Sequence, residues 1–185
     1  MANRRPRQGE TNLIVVGVVA ACCAAAVALI GAFMIHQQKK RSQSICVSNI
    51  RQVTIALTMY SAAHDGQIPT AKGFIGGELA PYLGTTGPLY CPDGSSAGDT
   101  DYVYLGAGLN LTKLKSPSST ILIHDKLGNH EGTVNCAYAD GSARSITTAA
   151  ANWEAFRKER QAAGDVILNE PSELLETPGT LPTYQ

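Results

Sequence analysis

The stretch "NHEGTVNCAYADGSAR", Asn129 to Arg144, places a histidine nine residues ahead of an Asp-Gly pair. A histidine and an aspartate are the usual components of general acid–base chemistry, which requires the two groups within hydrogen-bond reach. Just upstream, His124, Asp125, His130 and Glu131 bracket one short loop and offer the nitrogen and oxygen donors that zinc takes. The plainer reading of those four is a polar loop that turns at Gly128-Asn129, since both residue types favour turns. A third stretch, "DGSSAGDTD", holds Asp93, Asp99 and Asp101. Its oxygen-rich composition suits calcium, although the EF-hand spacing is absent. No G-x-S-x-G nucleophile elbow and no phosphate-binding glycine motif occurs, which argues against hydrolase and nucleotide chemistry.

The elements around these residues decide what the residues do. "TVNCAYA" alternates, with Val134, Cys136 and Tyr138 on one face and Asn135 and Ala137 on the other, and "SARSITT" follows Asp140-Gly141. Two such runs joined through Asp-Gly predict a β-hairpin with a two-residue type I′ turn and positive φ at Gly141. The residues between His130 and Asp140 then form a strand, and at ~3.3 Å per residue the two lie over ~20 Å apart. His130, Asp140 and Gly141 therefore mark a strand and its turns, not a catalytic pair. "DYVYLGAGL" and "STILIHD" are further strand signals, rich in β-branched and aromatic residues. "AAANWEAFRKERQAAG" predicts a short helix anchored by Trp153 and Phe156 and stopped at Gly164.

The N-terminal third is different. Positions 13–35, "LIVVGVVAACCAAAVALIGAFMI", carry no charge and exceed the ~20 residues a helix needs to span a bilayer. No small-residue cleavage site of a signal peptide follows. Arg4, Arg5 and Arg7 precede this segment and Lys39, Lys40 and Arg41 follow it, so the positive-inside comparison is balanced. Beyond it, Cys46, Ile50, Val53, Leu57 and Tyr60 recur at helical intervals and end at Asp65-Gly66. That spacing predicts a helix with one apolar stripe, continuous with the membrane segment. The chain thus divides into an N-terminal segment (1–12), a transmembrane helix (13–35), its amphipathic continuation (36–64), a globular α+β domain (65–164) and a loose tail (165–185). Within the domain, "GGELAPYL" predicts one helical turn. Lysine plus arginine and aspartate plus glutamate number 15 each, so nothing draws the chain toward nucleic acid.

Five cysteines are present. Cys22 and Cys23 lie in the apolar segment, and Cys46, Cys91 and Cys136 lie beyond it, none in a Cys-x-x-Cys pair. Cys46 sits on the helical stripe, and Cys91 opens a Cys-Pro turn that must pass near that helix. In an oxidising compartment these two are the expected disulfide partners, with Cys136 a core residue.

The ordered set of an apolar N-terminal helix, "CVSNIRQVTIALTMYSAAHDGQIP", "LYCPDG", "YVYLGAGL" and "NHEGTVNCAYADGSA" resembles the prepilin-like bacterial proteins with the His-x9-Asp-Gly processing-associated domain, relatives of the type II secretion pseudopilins. The resemblance covers about positions 45–146 and the anchor by position. It implies a pilin-like α+β architecture, a long N-terminal helix packed on a small antiparallel sheet. It implies a single-pass inner-membrane protein, N-in, with its globular domain periplasmic. It further implies a non-enzymatic role beside other pilin-like subunits and secretion or pilus assembly machinery, and it adds weight to calcium in a loop. One departure stands out. Prepilins carry a Gly cleavage point, a Phe-type residue after it and a Glu at the fifth mature position; here Gly9 precedes Glu10, and the fifth position is Ile14. In the family that Glu meets a neighbouring subunit's N-terminal amine. Its absence points to an unprocessed chain, and to a tethered module of pilin fold that does not polymerise as the alternative function.

Overall fold

The computed structural model describes residues 8–70, 77–85, 87–94 and 100–167. The chain divides into two compact units between Arg41 and Ser42. Helix α1, Gln8–Ala63, runs unbroken through that division, in keeping with the absence of proline from positions 8–63. Over positions 15–35 α1 is apolar and exposed: Val16, Val27, Leu29 and Ile30 all stand more than half open. It is the one helix among the described residues long and apolar enough to cross a membrane.

The second unit is an α+β fold. A single turn, α2 (Ala80–Leu83), precedes strands β1 (Tyr102–Tyr104), β2 (Ile121–Asp125), β3 (Thr133–Tyr138) and β4 (Ala143–Thr147), and helix α3 (Trp153–Ala162) closes the order. The strands form one antiparallel sheet in the order β1-β2-β3-β4. The predicted stripe on α1 is buried: Cys46, Ile50, Val53 and Leu57 have no exposed surface, and Tyr60 packs at the margin. Ile50, Val53 and Leu57 together with Tyr102, Tyr104, Leu122, Ile123 and Ala137 make one core on the α1 face of the sheet. Each such buried aliphatic side chain contributes about 1.5–3 kcal/mol. Val134, Cys136 and Tyr138 alternate to the other face, where they meet Leu105, Ile121, Ile146 and Phe156 of α3 in a second core.

β2 does not alternate, and its departure matters for everything around it. Ile121 pairs with Tyr138 but Ile123 pairs with Ala137, so Leu122 is an extra residue, a β-bulge. Leu122 and Ile123 both join the core under α1. The phase is thereby reversed for the rest of the strand. His124 turns to the α3 face and stacks on Trp153, with ring centroids 4.5 Å apart, while Asp125 turns to the α1 face and lies 3.6 Å from the Cys46 sulfur.

The β3–β4 turn corrects the sequence expectation. Among the described non-glycine residues only Asp65 has positive φ, so Asp140 does not, and a type I′ turn is ruled out. Instead Gly141 N–H donates to Tyr138 O and Tyr138 N–H donates to Ser142 O. This is the three-residue loop with a left-handed glycine bulge, and it makes Ala137, not Tyr138, the partner of Ala143. Positive φ at Gly141, +85°, is as expected. The Asp140 carboxylate accepts from Ser142 N–H and Oγ, a cap that a strict two-residue turn would not need.

The tail boundary also moves. Val166 N–H donates to Ser119 O, Ile121 N–H donates to Val166 O, and Asp165 accepts from the Tyr138 hydroxyl. Residues 165–167 therefore belong to the fold, and the rest of the tail lies outside the described residues. Because a Cβ at Gly141 meets nothing within 4 Å, its substitution isolates backbone strain. Gly141→Val is expected to lower the unfolding free energy by about 1–3 kcal/mol and Gly141→Asn by less, since Asn tolerates left-handed φ. Denaturant melts of the detergent-solubilised chain check this, and equal midpoints for wild type and both variants would contradict the turn.

Candidate functional site

Four segments remote in sequence converge on the α1 face of the sheet at β1 and β2. α1 supplies Cys46, because the stripe that packs on the sheet begins there. Cys91 follows a single 3-10 turn, Gly87–Leu89. That stretch is fastened to α1 by Asn49, whose Nδ2 donates to Tyr90 O at 2.9 Å. Asp125 arrives through the bulge in β2. His130 closes the loop before β3, held where Asn129 N–H donates to Lys126 O and His130 bridges to Thr133.

The side chains meet closely. Cys91 Sγ lies 3.3 Å from His130 Nε2, and His130 Nε2 lies 3.4 Å from Asp125 Oδ2. Cys46 Sγ donates to the same carboxylate oxygen at 3.6 Å and faces the Tyr102 hydroxyl at 3.6 Å. The donor atoms of Cys46, Cys91 and His130 all fall within 4.8 Å of one another. All four residues are buried, Asp125 to 1% exposure.

A surrounding set of hydrogen bonds fixes their orientation. Asp125 accepts from Asn135 N–H at 2.9 Å and from Asn135 Nδ2 at 2.8 Å. Asn135 in turn accepts from the Ser145 hydroxyl. His130 Nδ1 meets Asp93 Oδ2 at 3.2 Å, and Cys91 N–H donates to Asp101 Oδ2 at 3.0 Å.

The electrostatics follow from this geometry. Burial pushes the Asp125 carboxyl up to about 7, against the pull of the Asn135 N–H. The Cys46 thiol is pushed up, first by its hydrogen bond with Cys91 and then by burial. Cys91 is pushed down, first by that same bond and, against its burial, by His130. His130 is raised, chiefly by its contact with Cys91. Cys91 is thus the thiol that most readily gives up its proton, and His130 is the group placed to compensate the charge.

The chain matches no model of a known protein family, no curated protein and no solved structure. Its site is therefore read from its own geometry.

Of the four residues expected around zinc, only Asp125 and His130 come together. His124 is a correction: the bulge sends it to the α3 face, where its Nδ1 donates to Asp125 O at 2.6 Å and burial pushes its pKa down to about 4. Glu131 is likewise a correction, exposed on the loop. Of the expected calcium residues, Asp93 turns to His130 and Asp101 to the Cys91 backbone; Asp99 lies outside the described residues. Cys46 and Cys91 do approach one another as expected, here as free thiols. His130 and Asp140 stand beyond opposite ends of β3 with separate partners. The grouping of His130 and Asp125 with the two cysteines, and the parts played by Tyr102 and Asn135, were not anticipated.

Gly94 is part of this construction. A Cβ there would stand 2.3 Å from the Asp101 carboxylate, which holds Cys91. Gly94→Ala is expected to destabilise the fold by about 1–3 kcal/mol through this clash and to increase alkylation of Cys91 under native conditions. Unchanged melting together with unchanged alkylation would contradict the assigned role of Asp101.

Proposed function

We propose that this chain is a non-enzymatic, pilin-like membrane subunit, similar in design to the pseudopilins of type II secretion and type IV pilus-like systems. One observation carries the reading: the unbroken helix α1 is wholly apolar and exposed over positions 15–35 and buries a single stripe under an antiparallel sheet from Cys46 on. An exposed apolar surface of that length is costly in water and stable in lipid, and the packed half belongs to a small domain. The partners are membrane lipid, other pilin-like subunits and their assembly machinery. In this reading the chain sits N-in in the cytoplasmic membrane with the domain on the periplasmic side, as the resemblance to pseudopilins implies; the basic residues flanking the span are balanced and do not choose.

A second reading, a tethered module of the same fold that does not polymerise, is favoured by one feature. Positions 13–35 hold no acidic residue, and Glu10 follows Gly9, so the charge that draws neighbouring subunits together in pilins is missing.

Alkaline extraction should leave the full-length chain in the membrane pellet, and intact-mass measurement should find Arg4, Arg5 and Arg7 retained. Recovery in the soluble fraction would overturn the anchor. A mass beginning at Glu10 would instead show processing, as for an ordinary filament subunit. Cross-linking in the native membrane separates the two readings: mixed adducts with other pilin-like chains support the subunit, and an uncross-linked chain supports the tethered module.

A further inference from the structure

We propose that Cys46, Cys91 and His130 hold a zinc ion that ties α1 to the sheet, with the Asp125 carboxylate lying against Cys46 and His130. The inference concerns the second unit alone and does not depend on the membrane reading.

The distances carry it. Zinc binds sulfur at about 2.3 Å and imidazole nitrogen or carboxylate oxygen at about 2.0–2.2 Å, so tetrahedral angles put neighbouring donors about 3.3–3.8 Å apart. Cys91 Sγ to His130 Nε2 is 3.3 Å, His130 Nε2 to Asp125 Oδ2 is 3.4 Å, and Cys46 Sγ to Asp125 Oδ2 is 3.6 Å. The remaining separations among the two sulfurs and the imidazole lie within 4.8 Å.

The donor set selects the metal. Two thiolates and an imidazole suit a borderline-soft ion, whereas calcium and magnesium take oxygen. The surroundings are those of a metal site as well. A ligating histidine usually donates its other ring nitrogen to a carboxylate, and here His130 Nδ1 meets Asp93. The Asp125 carboxylate beside these donors is oriented from behind by Asn135, and the Tyr102 hydroxyl faces the Cys46 sulfur. A Cys46–Cys91 disulfide would engage both sulfurs and exclude the metal.

Cys46, Cys91 and His130 are all buried, so the fold encloses the ion. The ligands come from three segments that only the folded chain assembles, so metal affinity becomes folding free energy.

The test uses the full-length chain purified in detergent, under reducing conditions and without chelator, from cells grown with added zinc. Elemental analysis should find about one zinc per chain, the stoichiometry of a single site. After chelation, titration with cobalt(II) alone should give thiolate-to-cobalt charge-transfer bands and the intense visible bands of tetrahedral cobalt. Cys91→Ser and His130→Ala should abolish both signals, and Cys136→Ser should keep them. Asp93→Asn should retain the stoichiometry but weaken zinc binding about 10–100-fold; this variant serves if the ligand variants fail to fold. Three results would each overturn the proposal: wild-type chain with neither zinc nor tetrahedral cobalt bands, zinc retained in full without Cys91 or His130, or Cys46 and Cys91 recovered disulfide-linked from the native membrane.

Discussion

The fold turns on one buried carboxylate. Asp125 is 1% exposed, and an ionised carboxylate in that position costs several kcal/mol unless it is paired and hydrogen-bonded. Its two oxygens accept from the backbone and side chain of Asn135 on β3, and one of them also faces Cys46 on α1 and His130 on the loop before β3. Displacing any of these elements would strand the carboxylate. Apolar packing supplies most of the stability here, but it is indifferent to small slides of a helix over a sheet. The Asp125 group is not, and so it fixes the register in which α1 lies on the strands.

The bulge at Leu122 is what makes that arrangement available. A regular strand from Ile121 would turn His124 toward α1 and Asp125 toward α3. The extra residue exchanges them, giving the imidazole to Trp153 for stacking and the carboxylate to the thiols. Neighbours in the chain thereby become members of two different cores.

Much of this organisation was legible in the residue order. The stripe Cys46–Ile50–Val53–Leu57, the alternation of Val134, Cys136 and Tyr138, and the anchors Trp153 and Phe156 all take the positions their periodicity implies. Such patterns report burial, and burial is local to a face. The bulge left no comparable mark, because "ILIHD" is apolar enough to be buried on both sides and shows no phase to break. That is why His124, Asp125, His130 and Glu131 read as one cluster and are in fact divided. The turn at Asp140-Gly141 was misjudged by one residue for a related reason: Asp-Gly serves both two- and three-residue hairpins, and only the Ser142 capping bonds separate them. The clue to the site was the pair of cysteines placed on a helix stripe and at a Cys-Pro turn. It gave their proximity but not the imidazole and carboxylate beside them.

The spacing between His130 and Asp140 has a consequence of its own. β3 acts as a ruler: one end sets a side chain against the thiols, and the other sets a cap on the hairpin. Lengthening it by one residue would turn either Asn135 or Cys136 to the wrong face, whereas lengthening it by two would keep both faces and merely carry the hairpin farther out. The interval between His130 and Asp140 is thus a measurement of span. Two residues that never meet are set apart by the length of the strand that separates them.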